Sequence, residues 1–183
     1  MFKKSILFLS ILSLLLFTGC SDNKESATEM VSTNEYILTG LDNKQYVVKK
    51  QGSGFTLDGA KGKVIIFDIF ATWCPPCKAA ATHLTDLQKK YKDDVVIIGL
   101  TIEDGIENQK LLEFRKEHNA QYTLANSTEN RKLSDAIVEE LKLGERYPIP
   151  MMAMYKDGIF INNYVGATEE EFIDSDIKRA LGK

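Results

Sequence analysis

The feature that most constrains this chain is an apolar run followed closely by two cysteines. Residues 64–70 are apolar except for Asp68 and are rich in β-branched side chains, which is typical of a strand covered on both faces of a sheet. The sequence WCPPC follows at 73–77. Beyond it, apolar residues recur at helical spacing at Ala80, Leu84, Leu87 and Tyr91. The chain therefore predicts a buried strand, a Cys-x-x-Cys turn and an amphipathic helix in succession.

The other elements predict an α/β domain over residues 35–183 with a partly parallel sheet. Residues 95–100 read as a second buried strand, and a strand-helix-strand unit crosses over right-handed with parallel strands. Two hairpins are predicted, one from 36–41 and 46–49, the other from 151–155 and 159–165 around Asp157-Gly158. Helices are predicted at 106–119, at 130–143 closed by Gly144, and from Thr168 onward, with a short strand at 122–125.

The N-terminus is typical of an exported lipoprotein. Lys3 and Lys4 precede an apolar run at 5–17, which as a helix spans only about 20 Å and is too short to cross a bilayer. Gly19-Cys20 at its end resembles the cleavage and acylation site of bacterial lipoproteins. We expect a signal peptide at 1–19, a lipid on Cys20 and a flexible tether at 20–34, which would hold the domain on an extracytoplasmic membrane surface, in the periplasm or on the outer face of the cell membrane. The alternative is an ordinary signal peptide with an incidental Cys20.

Charge and cysteine usage narrow the possible partners. The chain has 23 basic and 26 acidic residues, a net charge of −3, and removal of 1–19 leaves 21 against 26, or −5. This balance predicts no nucleic acid partner. Lipidation of Cys20 would leave Cys74 and Cys77 as the only thiols, in an oxidising compartment where a disulfide persists unless something reduces it.

The spacing of Cys74 and Cys77 favours redox chemistry. A cysteine at a helix N-terminus meets free backbone amides and the positive end of the helix dipole, which favour the thiolate, so Cys74 is the predicted nucleophile. Pro75 and Pro76 suit a first helical turn, where amide hydrogens lack intrahelical acceptors. A zinc site is the first alternative, but His83 and His118 are not at ligand spacing and no metal is expected. A purely structural disulfide is the second, and so short a loop would gain little from it.

The segment 67–78 resembles the active site of the thioredoxin superfamily. The lipoprotein leader, the hairpin and the inserted helix-strand-helix resemble its TlpA-type extracytoplasmic branch, over roughly residues 36–181. The resemblance implies a three-layer thioredoxin-like fold, with a mixed central sheet, helices on both faces, an N-terminal hairpin and a helix-strand-helix insertion. It also implies a thiol:disulfide oxidoreductase that needs no cofactor and acts on disulfides of exported proteins.

The same resemblance assigns roles to residues around the cysteines. Pro150 stands where the family has a cis-proline that faces the cysteines, and Ile149 before it would offer backbone hydrogen bonds to substrate. Asp68 stands where thioredoxin has a buried carboxyl, whose pKa burial would raise and which would take a proton from Cys77. Trp73 either helps to dock substrate or is simply packed.

The chain departs from one part of that branch. Its cytochrome c maturation reductases tend to have Asn, Glu and Pro where this chain has Asp68, Ala80 and Thr82. A general reductase, recharged by a membrane electron-transfer partner, is therefore the leading interpretation. The alternatives are a dithiol oxidase, a cytochrome c maturation reductase, or a module that handles metal or haem through its thiols.

Overall fold

A computed structural model describes residues 34–144 and 146–183. The predicted signal peptide, Cys20 and all of the tether except Asn34 lie outside these residues. No helix within the described part of the chain combines the length and the apolar character needed to cross a bilayer.

Eight strands and four helices make up the described residues. In chain order they are β1 (Glu35–Thr39), β2 (Gln45–Gln51), β3 (Gly54–Leu57), β4 (Val64–Phe70), α1 (Pro75–Lys90), β5 (Val95–Thr101), α2 (Asn108–Glu117), β6 (Thr123–Ala125), α3 (Glu129–Glu140), β7 (Met151–Lys156), β8 (Ile159–Val165) and α4 (Glu170–Leu181). The predicted helix-strand-helix insertion is α2-β6-α3, between β5 and β7.

A five-stranded mixed sheet in the order β6-β5-β4-β7-β8 forms the centre of the fold. β4 runs parallel to β5, and β5 to β6, because α1 and α2 return the chain to the same end of the sheet. β7 and β8 are antiparallel neighbours that complete the other half. Every residue of β4 is buried, as its apolar composition predicts.

Alternation along β4 decides which layer each side chain joins. Ile66 and Phe70 pack in the core beneath α1, α2 and α4, whereas Ile65 and Phe67 pack in the core beneath α3 and the N-terminal strands. The predicted arrangement with helices on both faces is confirmed. Since Asp68 has the parity of Ile66 and Phe70, it lies on the α1 face of the sheet.

The predicted N-terminal hairpin is confirmed but incomplete. β1 and β2 pair antiparallel, and β3 adds a third strand to make a separate small sheet. Phe55 of β3 is fully buried, with its ring edge-on to Tyr155 at a centroid distance of 5.4 Å. A Cβ at Gly54 would lie 1.8 Å from the Gly158 carbonyl oxygen, so the close approach of β3 to the β7–β8 turn requires glycine there. A four-residue strand that begins with glycine has too little alternation to be recognised in the sequence.

The helices are shorter than predicted at several ends. α2 does not include 106–107 or 118–119, and α3 ends at Glu140, although Gly144 does adopt the positive φ expected of a chain reversal after a helix. Thr168 does not begin the last helix. That helix starts at Glu170 after an N-cap at Glu169, and its first-turn acids, Glu170 and Glu171, favour the positive end of its dipole.

Candidate active site

The two cysteines lie at the junction of β4 and α1. Cys74 is the N-cap of α1, and Pro75 and Pro76 occupy its first two positions, as predicted. The Cys74 amide donates to the Ala71 carbonyl at 3.2 Å, which closes the turn out of β4. The Cys77 amide donates to Cys74 Sγ at 3.3 Å. The Cys74 sulfur therefore takes the place of a capping oxygen at the positive end of a 16-residue helix.

The cysteine pair is buried, whereas its aromatic neighbour is exposed. Cys74 and Cys77 form a disulfide, and each residue is about 3% exposed. Trp73 is 63% exposed, so the simple packing considered for it is wrong. Its indole presents a large exposed apolar surface next to Cys74 in the chain.

The segment before β7 lies against the first cysteine. The Ile149–Pro150 peptide bond is cis, as the resemblance implies. The Ile149 carbonyl oxygen lies 3.7 Å from Cys74 Sγ. The Pro150 carbonyl accepts from the Gly166 amide at 2.8 Å, which ties this segment to the end of β8. Residues 149–150, far from the cysteines in the chain, therefore lie beside Cys74 in the fold.

Asp68 lies on the α1 face of the sheet and is 2% exposed. Burial in the apolar core raises the pKa of its carboxyl from 3.8 to about 7, although a hydrogen bond from Tyr122 works in the opposite direction. The Tyr122 hydroxyl donates to Asp68 Oδ2 at 2.8 Å. Asp68 Oδ1 is buried and has no hydrogen-bond partner in the described parts of the chain. A carboxyl whose pKa lies near neutrality, and which has one oxygen without a hydrogen-bond partner, can accept and return a proton.

Glu103 holds the loop between β4 and the cysteines, and sequence reasoning missed it. Its carboxylate accepts from the Thr72 amide at 2.6 Å and from the Thr72 hydroxyl at 3.1 Å. The Thr101 hydroxyl accepts from the Glu103 amide at 3.2 Å. Thr72 and Glu103 follow the carboxyl ends of two parallel neighbouring strands, which is the signal that could have paired them.

Other candidate residues do not join the site. His118 caps the end of α2 with its ring edge-on to Phe114, and the Thr82 hydroxyl donates to the His118 carbonyl at 3.3 Å. Residues 34–144 and 146–183 contain no group of three or more His, Cys, Asp or Glu side chains arranged to hold a metal ion. Ala80 is buried in the core beneath α1.

A mixed sheet of this order, with a Cys-x-x-Cys pair at the start of the helix after its central strand and a cis-proline segment facing that pair, defines a thioredoxin-like protein. The chain belongs to the Redoxin family, whose model matches residues 27–181.

Known proteins similar to this chain agree with that assignment. Thioredoxin-like protein YneN of Bacillus subtilis is 25% identical over 60% of this chain, and the match spans 63% of YneN, less than two thirds of its length. Thiol-disulfide oxidoreductase ResA of Bacillus cereus is 25% identical over 97% of this chain and 98% of that protein. The crystal structure of a thioredoxin-family thiol:disulfide interchange protein from Chlorobium tepidum covers 81% of this chain and 94% of its own, with a TM-score of 0.65 at 22% identity. The predicted thioredoxin-like fold is confirmed.

Proposed function

We propose that this protein is a thiol:disulfide oxidoreductase that reduces disulfides in exported proteins through Cys74 and Cys77. The observation that carries the proposal is the position of Cys74 Sγ. It caps α1, where backbone amides stabilise a thiolate, and it lies 3.7 Å from the Ile149 carbonyl in a segment that can pair with an extended peptide.

The reaction proceeds by two thiol–disulfide exchanges. The Cys74 thiolate attacks one sulfur of the substrate disulfide, and the other substrate sulfur leaves as a thiolate. The Cys77 thiolate then attacks Cys74 Sγ, which releases the second substrate sulfur and forms the Cys74–Cys77 disulfide. The substrate gains two electrons and the protein loses two, so a membrane electron-transfer partner must reduce the pair again.

Asp68 serves the second exchange by taking the proton of Cys77. It lies on the same face of the sheet as the helix that carries Cys77, and its pKa of about 7 lets both protonation states form near neutral pH. The Ile149 carbonyl and the chain at Pro150 align the substrate backbone, and Trp73 covers its apolar side chains.

Cys20 anchors the domain to a membrane on its extracytoplasmic side, with residues 20–34 as the tether. Support comes from the charged start, apolar run and Gly19-Cys20 of the sequence. Cytochrome c maturation reductases tend to have Glu and Pro where this chain has Ala80 and Thr82. This difference supports a general reductase over one specialised for haem proteins.

Trapping is the direct test of the order of attack. In Cys77→Ala, the first exchange still occurs but the second cannot, so substrates should accumulate as mixed disulfides on Cys74. The matched control is the double variant Cys74→Ser/Cys77→Ala, which should trap nothing. If Cys77→Ala captures no exported protein while the wild type reduces them, Cys74 is not the attacking thiol.

The direction of the reaction needs a separate measurement. A reductase should reduce insulin disulfides when supplied with dithiol, whereas a dithiol oxidase should instead oxidise reduced ribonuclease. Stoichiometric metal or haem retained on the purified protein would favour a binding module.

A further inference from the structure

Tyr122 reaches Asp68 across an intervening strand. It immediately precedes β6, which pairs with β5, and β5 in turn pairs with β4. In register, Asp68 stands opposite Gly99 of β5. The Tyr122 hydroxyl nevertheless donates to Asp68 Oδ2 at 2.8 Å, so the phenol ring passes over the position of Gly99.

Gly99 makes this crossing possible. A Cβ built there would lie 3.2 Å from Tyr122 Cε2, and it would also crowd the Leu124 and Phe70 side chains at 2.8 and 3.1 Å. Any larger residue would displace the tyrosine ring or its neighbours. Glycine at this buried position of β5 thus leaves room for the phenol ring.

The two oxygens of Asp68 are in different situations. Oδ2 accepts the phenol proton, whereas Oδ1 is buried without a hydrogen-bond partner among the residues described. A donor to the carboxylate favours its ionised form, while desolvation favours the protonated form. Arg115 brings a positive charge near Tyr122, which acts to lower the pKa of the Tyr122 hydroxyl, whereas burial and Asp68 raise it. Around the pair, α1 contributes Cys77, α2 contributes Arg115, whose guanidinium donates to the Tyr122 carbonyl, and β5 and β7 contribute the uncharged Gly99 and Met152.

Building on the proposed function, we infer that Tyr122 is a positioning residue that holds Asp68 Oδ2 and reserves Oδ1 for the proton of Cys77. In the second exchange the Cys77 proton moves to Oδ1, the Cys77 thiolate attacks Cys74 Sγ, and the bond from Cys74 to the substrate sulfur breaks. The departing substrate thiolate or water then takes the proton from Asp68. No outside oxidant or reductant enters this step, and Tyr122 keeps its own proton throughout.

The test separates the two exchanges in time. The reduced protein is mixed with dithiobis(nitrobenzoate), and coloured thionitrobenzoate is followed by stopped flow across pH. The first release reports attack by Cys74, and the second reports attack by Cys77 on the mixed disulfide. In Tyr122→Phe the first phase should be unchanged, and the acid limb of the second should move upward by about one pH unit, a roughly tenfold loss of rate below it.

Two comparisons make the result specific to the pair. Asp68→Asn and Asp68→Asn/Tyr122→Phe should have the same second phase, because Tyr122 acts only through Asp68. Tyr91→Phe is the matched control, since Tyr91 also donates to a buried aspartate, Asp174, at 2.6 Å, but at the other end of α1. Tyr91→Phe should lower the stability of the protein and leave the pH dependence of both thionitrobenzoate releases unchanged.

The possible failures are distinguishable. A Tyr122→Phe acid limb that coincides with the wild type, the same shift in Tyr91→Phe, or a shift that persists without Asp68 would each overturn the positioning role. A wild-type protein that never releases the second thionitrobenzoate would overturn the proposed function instead. If Tyr122→Phe does not fold, an NMR measurement on the wild-type protein still tests the inference. The Tyr122 hydroxyl proton should give a slowly exchanging NMR signal that moves as Asp68 titrates, and a signal indifferent to that titration would contradict the inference.

Discussion

At the scale of the residue, Asp68 shows how two opposing effects set one property. Desolvation in the core raises the pKa of its carboxyl and the hydrogen bond from Tyr122 lowers it, and desolvation is the larger, so the pKa reaches about 7. The same burial makes the ionised carboxylate a source of instability. The protein retains a group that weakens its fold at alkaline pH, which is understandable when that group handles a proton.

Replacing Asp68 with Asn should therefore stabilise the oxidised protein, and more so at higher pH. Well below pH 3.8 the carboxyl is protonated in both the folded and the unfolded chain, so the variant should differ little there. As pH rises from 3.8 to about 7, the folded state binds more protons than the unfolded state, and the wild type loses up to about 4 kcal/mol of stability that the variant keeps. Urea unfolding at pH 4 and pH 8 measures the difference.

Asp174 provides a control of opposite sign. Burial acts to raise the pKa of its carboxyl, but hydrogen bonds from Lys178, Lys90 and Tyr91 outweigh it and hold that pKa below the usual range. Asp174→Asn should lower the free energy of unfolding at neutral pH and have little effect in strong acid. If Asp68→Asn destabilises the protein at pH 8 as Asp174→Asn does, the burial argument for Asp68 is wrong.

At the scale of the element, the ends of β4 and β5 are tied together just before the cysteines. Glu103 lies beyond the end of β5, and its carboxylate accepts hydrogen bonds from both the amide and the hydroxyl of Thr72. A carboxylate bonded in this way to a loop limits the positions that Trp73 and Cys74 can take. This contact between Glu103 and Thr72, the Glu103 clamp, thus connects the parallel strands β4 and β5 to the turn that carries Cys74.

Glu103→Gln should loosen this turn. The amide keeps one acceptor oxygen but loses the charge-assisted bonds, so we expect a loss of about 1–2 kcal/mol of stability and a several-fold fall in kcat/KM for insulin reduction. Glu107→Gln is the matched control, because Glu107 is exposed at the N-cap of α2 and makes no side-chain capping bond. Equal effects from the two variants would mean that charge alone, not the Thr72 contact, matters.

At the scale of the whole molecule, the domain that holds the site and the segment predicted to anchor it are separable. β1 begins at Glu35, and the Asn34 carbonyl already accepts from the Lys50 amide at 2.7 Å. All the groups assigned to the reaction lie between Asp68 and Pro150. Chemistry and anchoring should therefore respond to different substitutions.

Cys20→Ala should release the protein from membranes and leave its thiol chemistry intact. Without acyl chains on residue 20 the hydrophobic anchor is lost, since stable attachment needs two or more of them. Fractionation of cells and incorporation of labelled fatty acid measure the first effect, and the rate of insulin reduction measures the second. Ser21→Ala should remain labelled and membrane-bound. Labelled fatty acid on Cys20→Ala would contradict lipidation at this residue.

Much of the fold was predictable because its signals are local. The seven residues of β4 and the stripe on α1 are unambiguous patterns, and β8 was predicted with its observed bounds. β3 and the start of α4 were not, because a short strand held by contacts to another sheet, and a helix without a side-chain cap, leave weak local traces.

The sequence by itself determined the chemistry and its local setting. Two cysteines, two prolines and the apolar strand before them are enough to predict a thiol pair at a helix start, since capping and chain stiffness act over a few residues. Only the tertiary structure decided which contacts form around that pair. The Ile149 carbonyl, the Glu103 clamp and the Tyr122–Asp68 bond all depend on strand register, which brings together residues far apart in the chain, and a hydrogen bond forms only when such residues come within about 3 Å.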